Sequence, residues 1–108
     1  MKVRGARAIK RELADVDAVF SALAHPSRRH ILLVLHFRGG QMTAGEIANR
    51  FGCTWPTTSH HLRLLEVAGL VKVEKHGRAR VYVLDDARLA NVAQGWLNSF
   101  VGKAEETE

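Results

Sequence analysis

Leu13, Val16, Phe20 and Leu23 recur at three- and four-residue steps, one apolar stripe on a helix from about Arg11 to Ala24. His25-Pro26 ends it, because the residue before a proline is pushed out of the helical region. Pro26 suits the first turn of a second helix, running to about Phe37, with Ile31, Leu32, Val34 and Leu35 mostly buried. Gly39-Gly40 stops that helix. Thr43 and Glu46 form a T-x-x-E capping box, so a third helix starts at Thr43, apolar at Ala44, Ile47, Ala48 and Phe51. Gly52 is expected to take the left-handed conformation of a sharp reversal. Thr54 caps a fourth helix that reaches Ala68, with Pro56 in its first turn, and Gly69 ends it. Residues 70–75 and 79–84 are valine-rich, with Tyr82 and Leu84 in the second run, and His76-Gly77-Arg78 between them reads as a hairpin tip. A last helix runs from about Asp86 to Val101, capped by Asp85 or Asp86.

From Thr43 to Asp85 the order is therefore helix, tight turn, helix, basic hairpin. That order predicts a winged helix-turn-helix: mainly α with a small β-hairpin, about five helices plus a two-stranded wing. At 108 residues the chain is one domain, large enough for a core without staples. Residues 1–10 read as a basic arm, 11–102 as a DNA-binding and dimerisation domain, and 103–108 as an acidic tail. The arm either frays or reaches the DNA backbone. On the last helix two adjacent columns, 89-93-97-101 and 92-96-100, make a broad apolar face. With the first helix it predicts a homodimer interface of Leu13, Val16, Phe20, Leu89, Val92, Ala93, Trp96, Leu97 and Phe100. The other reading is that this face packs on the chain's own first helix.

Charge turns the shape toward a partner. Sixteen Lys and Arg stand against eleven Asp and Glu, a net charge of +5. The bases gather in the arm and the hairpin, and the acids in the first helix and at the end. Bases thus lie where a winged helix meets phosphates. On the fourth helix, at about 100° per residue, Thr58, Leu62 and Leu65 share the core face. Pro56, Thr57, His60 and Arg63 fall opposite, with Ser59 on the flank, while Thr54 and Trp55 open the helix. Hydroxyls, imidazole and guanidinium are the groups that bond base edges and phosphates. Trp55 is expected to pack on the third helix, or else to lie against a sugar or thymine methyl. His61 is expected to be semi-buried and structural. In the wing, Lys75, His76, Arg78 and Arg80 are candidates for phosphate or the minor groove. Arg28, beside Arg29 at the start of the second helix, is a further phosphate candidate or a solvated helix end.

The single cysteine, Cys53, excludes an intrachain disulfide and fits a reducing cytoplasm. No apolar run approaches a membrane span, and no signal peptide is read. None of the six histidines pairs at the four-residue helical spacing of a zinc site, so no metal ligand and no cofactor is predicted.

Leu23-Ala-His-Pro-Ser-Arg-Arg-His-Ile-Leu32, Trp55-Pro-Thr-Thr-Ser-His-His-Leu62, Gly69-Leu-Val71 and Gly77-Arg78 with Tyr82 resemble the ArsR/SmtB repressors, over about residues 12–101. The resemblance implies a homodimeric repressor whose first and last helices pair, and whose fourth helix and wing bind a palindromic duplex operator, often that of its own operon. Three departures stand out. Trp55 replaces a glutamine common in relatives. Thr43 and Gly45 stand where metal-sensing relatives carry a Cys-x-Cys pair, and the last helix has Asp85 and Asp86 but no histidine. Cys53 has no second thiol for redox sensing and is expected to be a buried structural thiol. The chain thus looks like the branch without metal sites. The competing reading is a winged helix used as a protein-interaction module, against which the basic wing and polar helix face argue. No nucleophile–base pair, phosphate loop or carboxylate pair suggests an enzyme. No inducer is legible.

Overall fold

The computed structural model describes the backbone of residues 5–106 and the side chains of residues 5–101. Helix α1 spans Ala6–Leu23, α2 Pro26–Phe37, α3 Ala44–Arg50 and α4 Trp55–Val67. α1 begins earlier than its apolar stripe indicates. The stripe marks only the part that packs, whereas Ala, Arg, Lys and Ile at 6–10 continue the helix on propensity alone. That portion of the basic arm is helical, and residues 1–4 lie outside the described residues. Likewise the helical backbone continues to Glu106, through most of the segment read as an acidic tail.

The wing has three strands, not two. β1 (Gln41–Thr43) pairs antiparallel with β3 (Ala79–Leu84), which pairs with β2 (Val71–His76), giving the order β1-β3-β2. β1 sets Met42 opposite Tyr82 and runs directly into α3 at Thr43. Three residues are too few to show an alternating pattern, so this strand had no periodic signal. It anchors the wing to the start of the helix-turn-helix. The β2–β3 hairpin turns at Gly77, whose φ of +64° is open to glycine at little cost.

Gly52 does not take the left-handed conformation expected of it. Among the described residues the positive-φ positions are Gly39, Gly40, Gly69 and Gly77. The chain instead reverses between α3 and α4 with Phe51 and Thr54 extended, at ψ 139° and 156°.

The core lies between α1, α2, α4 and the sheet. Val19 and Ala22 of α1, Ile31, Leu32 and Leu35 of α2, Ile47 of α3 and Leu62 and Leu65 of α4 meet Met42, Leu70, Val71 and Tyr82. The last helix is interrupted. α5 (Asp86–Leu89), capped by the Asp85 side chain, passes through a π-helical stretch (Ala90–Gln94) into α6 (Gly95–Glu106). A π turn holds more residues than an α turn, so the apolar columns read at constant helical pitch shift phase across it. Arg88 fixes the start of this segment: its Nε donates to Ala68 O at 2.9 Å and its Nη2 reaches Asp15 Oδ1 at 3.4 Å.

Candidate nucleic-acid interface

α4 owes its orientation to its cap and its stripe. Thr54 Oγ1 accepts from Thr57 N at 3.4 Å, and Pro56 sits in the first turn, where no amide hydrogen is needed. Thr58, His61, Leu62 and Leu65 are buried against the core. Thr54, Pro56, Thr57, His60 and Arg63 are exposed on the other side, with Ser59 half-buried on the flank. Trp55, expected to pack on α3, keeps 37% of its surface exposed beside Pro56. From Thr54 to Arg63 no acidic residue interrupts this face.

α3 is fixed by the capping box read from sequence: Thr43 Oγ1 accepts from Glu46 N at 3.1 Å, and Thr43 N donates to Glu46 Oε1 at 2.8 Å. That backbone hydrogen bond, foremost, holds the Glu46 carboxyl below its ordinary pKa. The same geometry tests the metal sites known from the resemblance. Thr43 acts as a helix cap and Gly45 has no side chain, so the pair does not fit a thiolate site. Among the described residues no three His, Cys, Asp or Glu side chains gather in a metal-binding arrangement.

His61 stands behind α4, as the sequence suggests. Its Nδ1 lies 3.4 Å from Arg28 Nη1 and its ring 4.5 Å from that of His25. Burial, then the charges of His25, Arg28 and His60, lowers its pKa. Arg28 is the clearest departure among the site residues. Rather than reaching outward to phosphate, its guanidinium donates to Ala22 O at 2.7 Å and Ser21 O at 3.3 Å. Arg29 does the same to Leu23 O at 2.8 Å. The two arginines bond carbonyls of the last turn of α1, where Ser21 O also accepts from Ala24 N at 3.2 Å. Sequence spacing offers no hint of this, because these carbonyls lie across the His25-Pro26 corner. Cys53, expected to be buried, is exposed in the α3–α4 turn, between the extended residues Phe51 and Thr54.

The wing presents Lys75, Arg78 and Arg80 to solvent. His76 Nε2 lies 3.0 Å from Glu74 Oε1, and Arg80 Nη1 donates to Tyr82 Oη at 3.4 Å, which raises the arginine's pKa. Lys75 and Arg80 are direct cross-strand partners. Like charges placed opposite destabilise a hairpin. Among the described residues neither cation is in a salt bridge, but the negative charge of Glu66 acts on Arg80 and helps to raise its pKa.

A second surface is apolar. Within the chain, α1 packs on the last helix: the Phe20 and Trp96 rings meet edge-on at 5.4 Å, and Trp96 and Phe100 lie 4.9 Å apart. Val16, Leu89, Val92 and Ala93 are half-buried there. Leu13, Trp96, Leu97 and Phe100 remain 43–65% exposed even so. Ile9 and Val101 extend this face. Ile9 falls one helical turn before Leu13, a signal present in the sequence but hidden inside the supposed arm. Among the described residues no helix is long and apolar enough to cross a membrane.

Known proteins share this arrangement. A family described as a helix-turn-helix domain matches residues 23–74. The transcriptional repressor SdpR of Bacillus subtilis is 37% identical over 90 residues, covering 83% of this chain and 97% of its own. An ArsR-like transcriptional regulator from Rhodococcus superposes with a TM-score of 0.71 at 28% identity, over 88% of this chain and 86% of that one. A homodimeric winged helix-turn-helix DNA-binding domain from Mycobacterium bovis gives a TM-score of 0.71 at 25% identity, over 100% of this chain and 96% of the other. With its helix-turn-helix, wing and repressor relative in agreement, the chain belongs to the ArsR/SmtB family of winged helix-turn-helix transcriptional regulators.

Proposed function

We propose that the protein is a homodimeric repressor of its own operon that binds a palindromic duplex operator. Two copies of α4 enter successive major grooves, about 34 Å apart by the geometry of such dimers, and the wings lie on the backbone or minor groove. The observation that carries this reading is the exposed polar face of α4, free of acid from Thr54 to Arg63, together with the exposed wing cations Lys75, Arg78 and Arg80. A polyanion is attracted by Lys75 and Arg80, which stand opposite each other across the hairpin. Thr54, Trp55, Pro56, Thr57, Ser59, His60 and Arg63 face the groove, and Lys75, His76, Arg78 and Arg80 the backbone. Arg28 is left out of the DNA-binding set, since its donors serve α1. The exposed apolar residues of α1 and α6 pair across the two-fold axis. The relatives named as a repressor and as a homodimeric DNA-binding domain support both halves of this reading. The reading includes no metal sensor, in keeping with Thr43 and Gly45 at the positions metal-sensing relatives use.

Fluorescence anisotropy on the duplex upstream of its own gene and on a scrambled duplex, across a salt series and with and without zinc, tests this. Site-preferring binding that weakens steeply with salt and ignores zinc is expected. Equal or absent binding to both duplexes turns the assignment toward a protein partner, and release by zinc contradicts the absence of a metal sensor.

A further inference from the structure

Behind the recognition helix, where α2 begins and α3 ends, lies a cavity of about 160 Å³. Ser27, His30, Arg50, Phe51, Cys53, Thr58 and His61 line it. Thr58 is 1% exposed, and its Oγ1 has no hydrogen-bond partner. A buried hydroxyl without a partner costs free energy comparable to a lost hydrogen bond, so natural folds satisfy it with protein, water or ligand.

The lining defines what fits. No carboxylate is among the lining residues, which argues against a cation. Arg50, at the end of α3, has no ion pair among the described residues. His30 is held edge-on to Phe51 at 4.9 Å. With its Nδ1 turned to Arg28, a neutral His61 carries its proton on Nε2, a further donor. The backbone amide of Ser27 is already bonded to His25 Nδ1, so the α2 N-terminus contributes no free amide at that position and the donors are side chains. The space is several times the ~30 Å³ share of one water. Several donors around one space, one of them a guanidinium, suit an acceptor with several oxygens and negative charge.

We propose that this cavity is a binding site for a tetrahedral oxyanion of the phosphate type, held by Arg50, His30 and the Thr58 and Ser27 hydroxyls. The bound ion ties the end of α3 and the start of α2 to the inner face of α4. It thereby braces the helix-turn-helix. Its source is free phosphate or a phosphate of the DNA backbone.

The single cysteine provides a clean reporter, because Cys53 lines the same cavity and is exposed. Inorganic phosphate is titrated into the protein alone at ionic strength held constant with chloride. The unfolding midpoint and the rate at which a thiol reagent labels Cys53 are both followed. A saturating rise in the midpoint and a several-fold slowing of labelling are expected. Both should need at least tenfold more phosphate in Thr58→Val and in Arg50→Gln. Thr58→Val keeps the shape of the buried side chain, and Arg50 is exposed, so one variant stands if the other folds poorly. A response that does not saturate, or that both variants share with the wild type, overturns the site and leaves only water or a general ion effect. Repeating the titration on the DNA complex separates the sources: unchanged phosphate affinity assigns a free ion, and abolished affinity assigns the DNA backbone. The protein-alone arm is independent of DNA binding and stands whether or not the operator reading does.

Discussion

The α4–wing surface and the α1–α6 surface are both exposed, and they are built on opposite rules. On α4 the stripe of Thr58, Leu62 and Leu65 is buried, and from Thr54 to Arg63 the exposed side chains are mostly hydroxyl, imidazole and guanidinium groups, with Trp55 and Pro56 at the start. On α1 and α6 the inner face already packs, through Phe20 against Trp96, yet Leu13, Leu97, Phe100 and Val101 still face outward. The first surface is polar and, in the proposed reading, is complete in the monomer and takes an anion. The second is unfinished until another apolar face covers it. In the proposed reading, DNA binding and pairing fall to these two surfaces, so changes at one should be separable from changes at the other.

The largest effect is expected from Phe100→Asp together with Leu97→Asp. Charges placed on the pairing face should convert the protein to monomer in sedimentation velocity. Affinity for a full operator should fall on the order of 10²-fold or more, because two half-sites are no longer engaged at once. Far-ultraviolet circular dichroism should be little changed, because both side chains lie outside the core. If the double variant still sediments as a dimer, the face has been misassigned.

Lys75→Ala with Arg80→Ala comes next. It should weaken specific and scrambled DNA alike and lower the slope of log affinity against log salt by about one for each phosphate no longer neutralised. The free protein should lose little stability, because the Arg80 hydrogen bond to Tyr82 Oη is long, at 3.4 Å, and thermal unfolding checks that. His60→Ala sharpens the comparison from the other side: about 1–3 kcal/mol of discrimination between site and scramble should disappear for a real base contact, with dimerisation intact. Unchanged discrimination removes His60 from the reading surface.

Smaller effects lie behind these surfaces. Gly69 has φ +79°, and a Cβ there would meet Arg88 Nε at 2.5 Å. Gly69→Ala should therefore destabilise the fold by about 1–2 kcal/mol, because Arg88 is held by Ala68 O and has little freedom to yield. Chemical denaturation measures this. His61 has its pKa lowered, chiefly by burial. The unfolded chain thus binds its proton more readily than the folded one. Stability should be full above the ordinary histidine pKa of 6.5 and fall as pH drops below it. His61→Asn should flatten that acid-side fall in a series of thermal melts.

Much of the reading surface is legible in the sequence because each of its signals is local. The Thr43–Glu46 box, the Thr54 cap and the helical stripe through Leu62 and Leu65 need only a few consecutive residues to be recognised. The features that escape depend on distant neighbours. β1 is only three residues long and exists because Val81, Tyr82 and Val83 lie beside it. The roles of Arg28 and Arg29 depend on carbonyls across a proline corner. The π-helical stretch leaves no mark in the residue types of Ala90–Gln94 and breaks the constant pitch on which the apolar columns rest. Gly52 and Cys53 read as a tight turn with a buried thiol, whereas Phe51 and Thr54 make the reversal in extended geometry and leave the thiol exposed.

The most direct test of two surfaces with two tasks is the stoichiometry of the complex. Native mass spectrometry would be run on the protein with a palindromic duplex selected by it from a random pool, and with a duplex carrying one half-site. Two chains per palindrome are predicted, with the half-site bound far more weakly and the Phe100→Asp, Leu97→Asp variant treating both duplexes alike. One chain per palindrome, bound as tightly as to the half-site, would contradict the account.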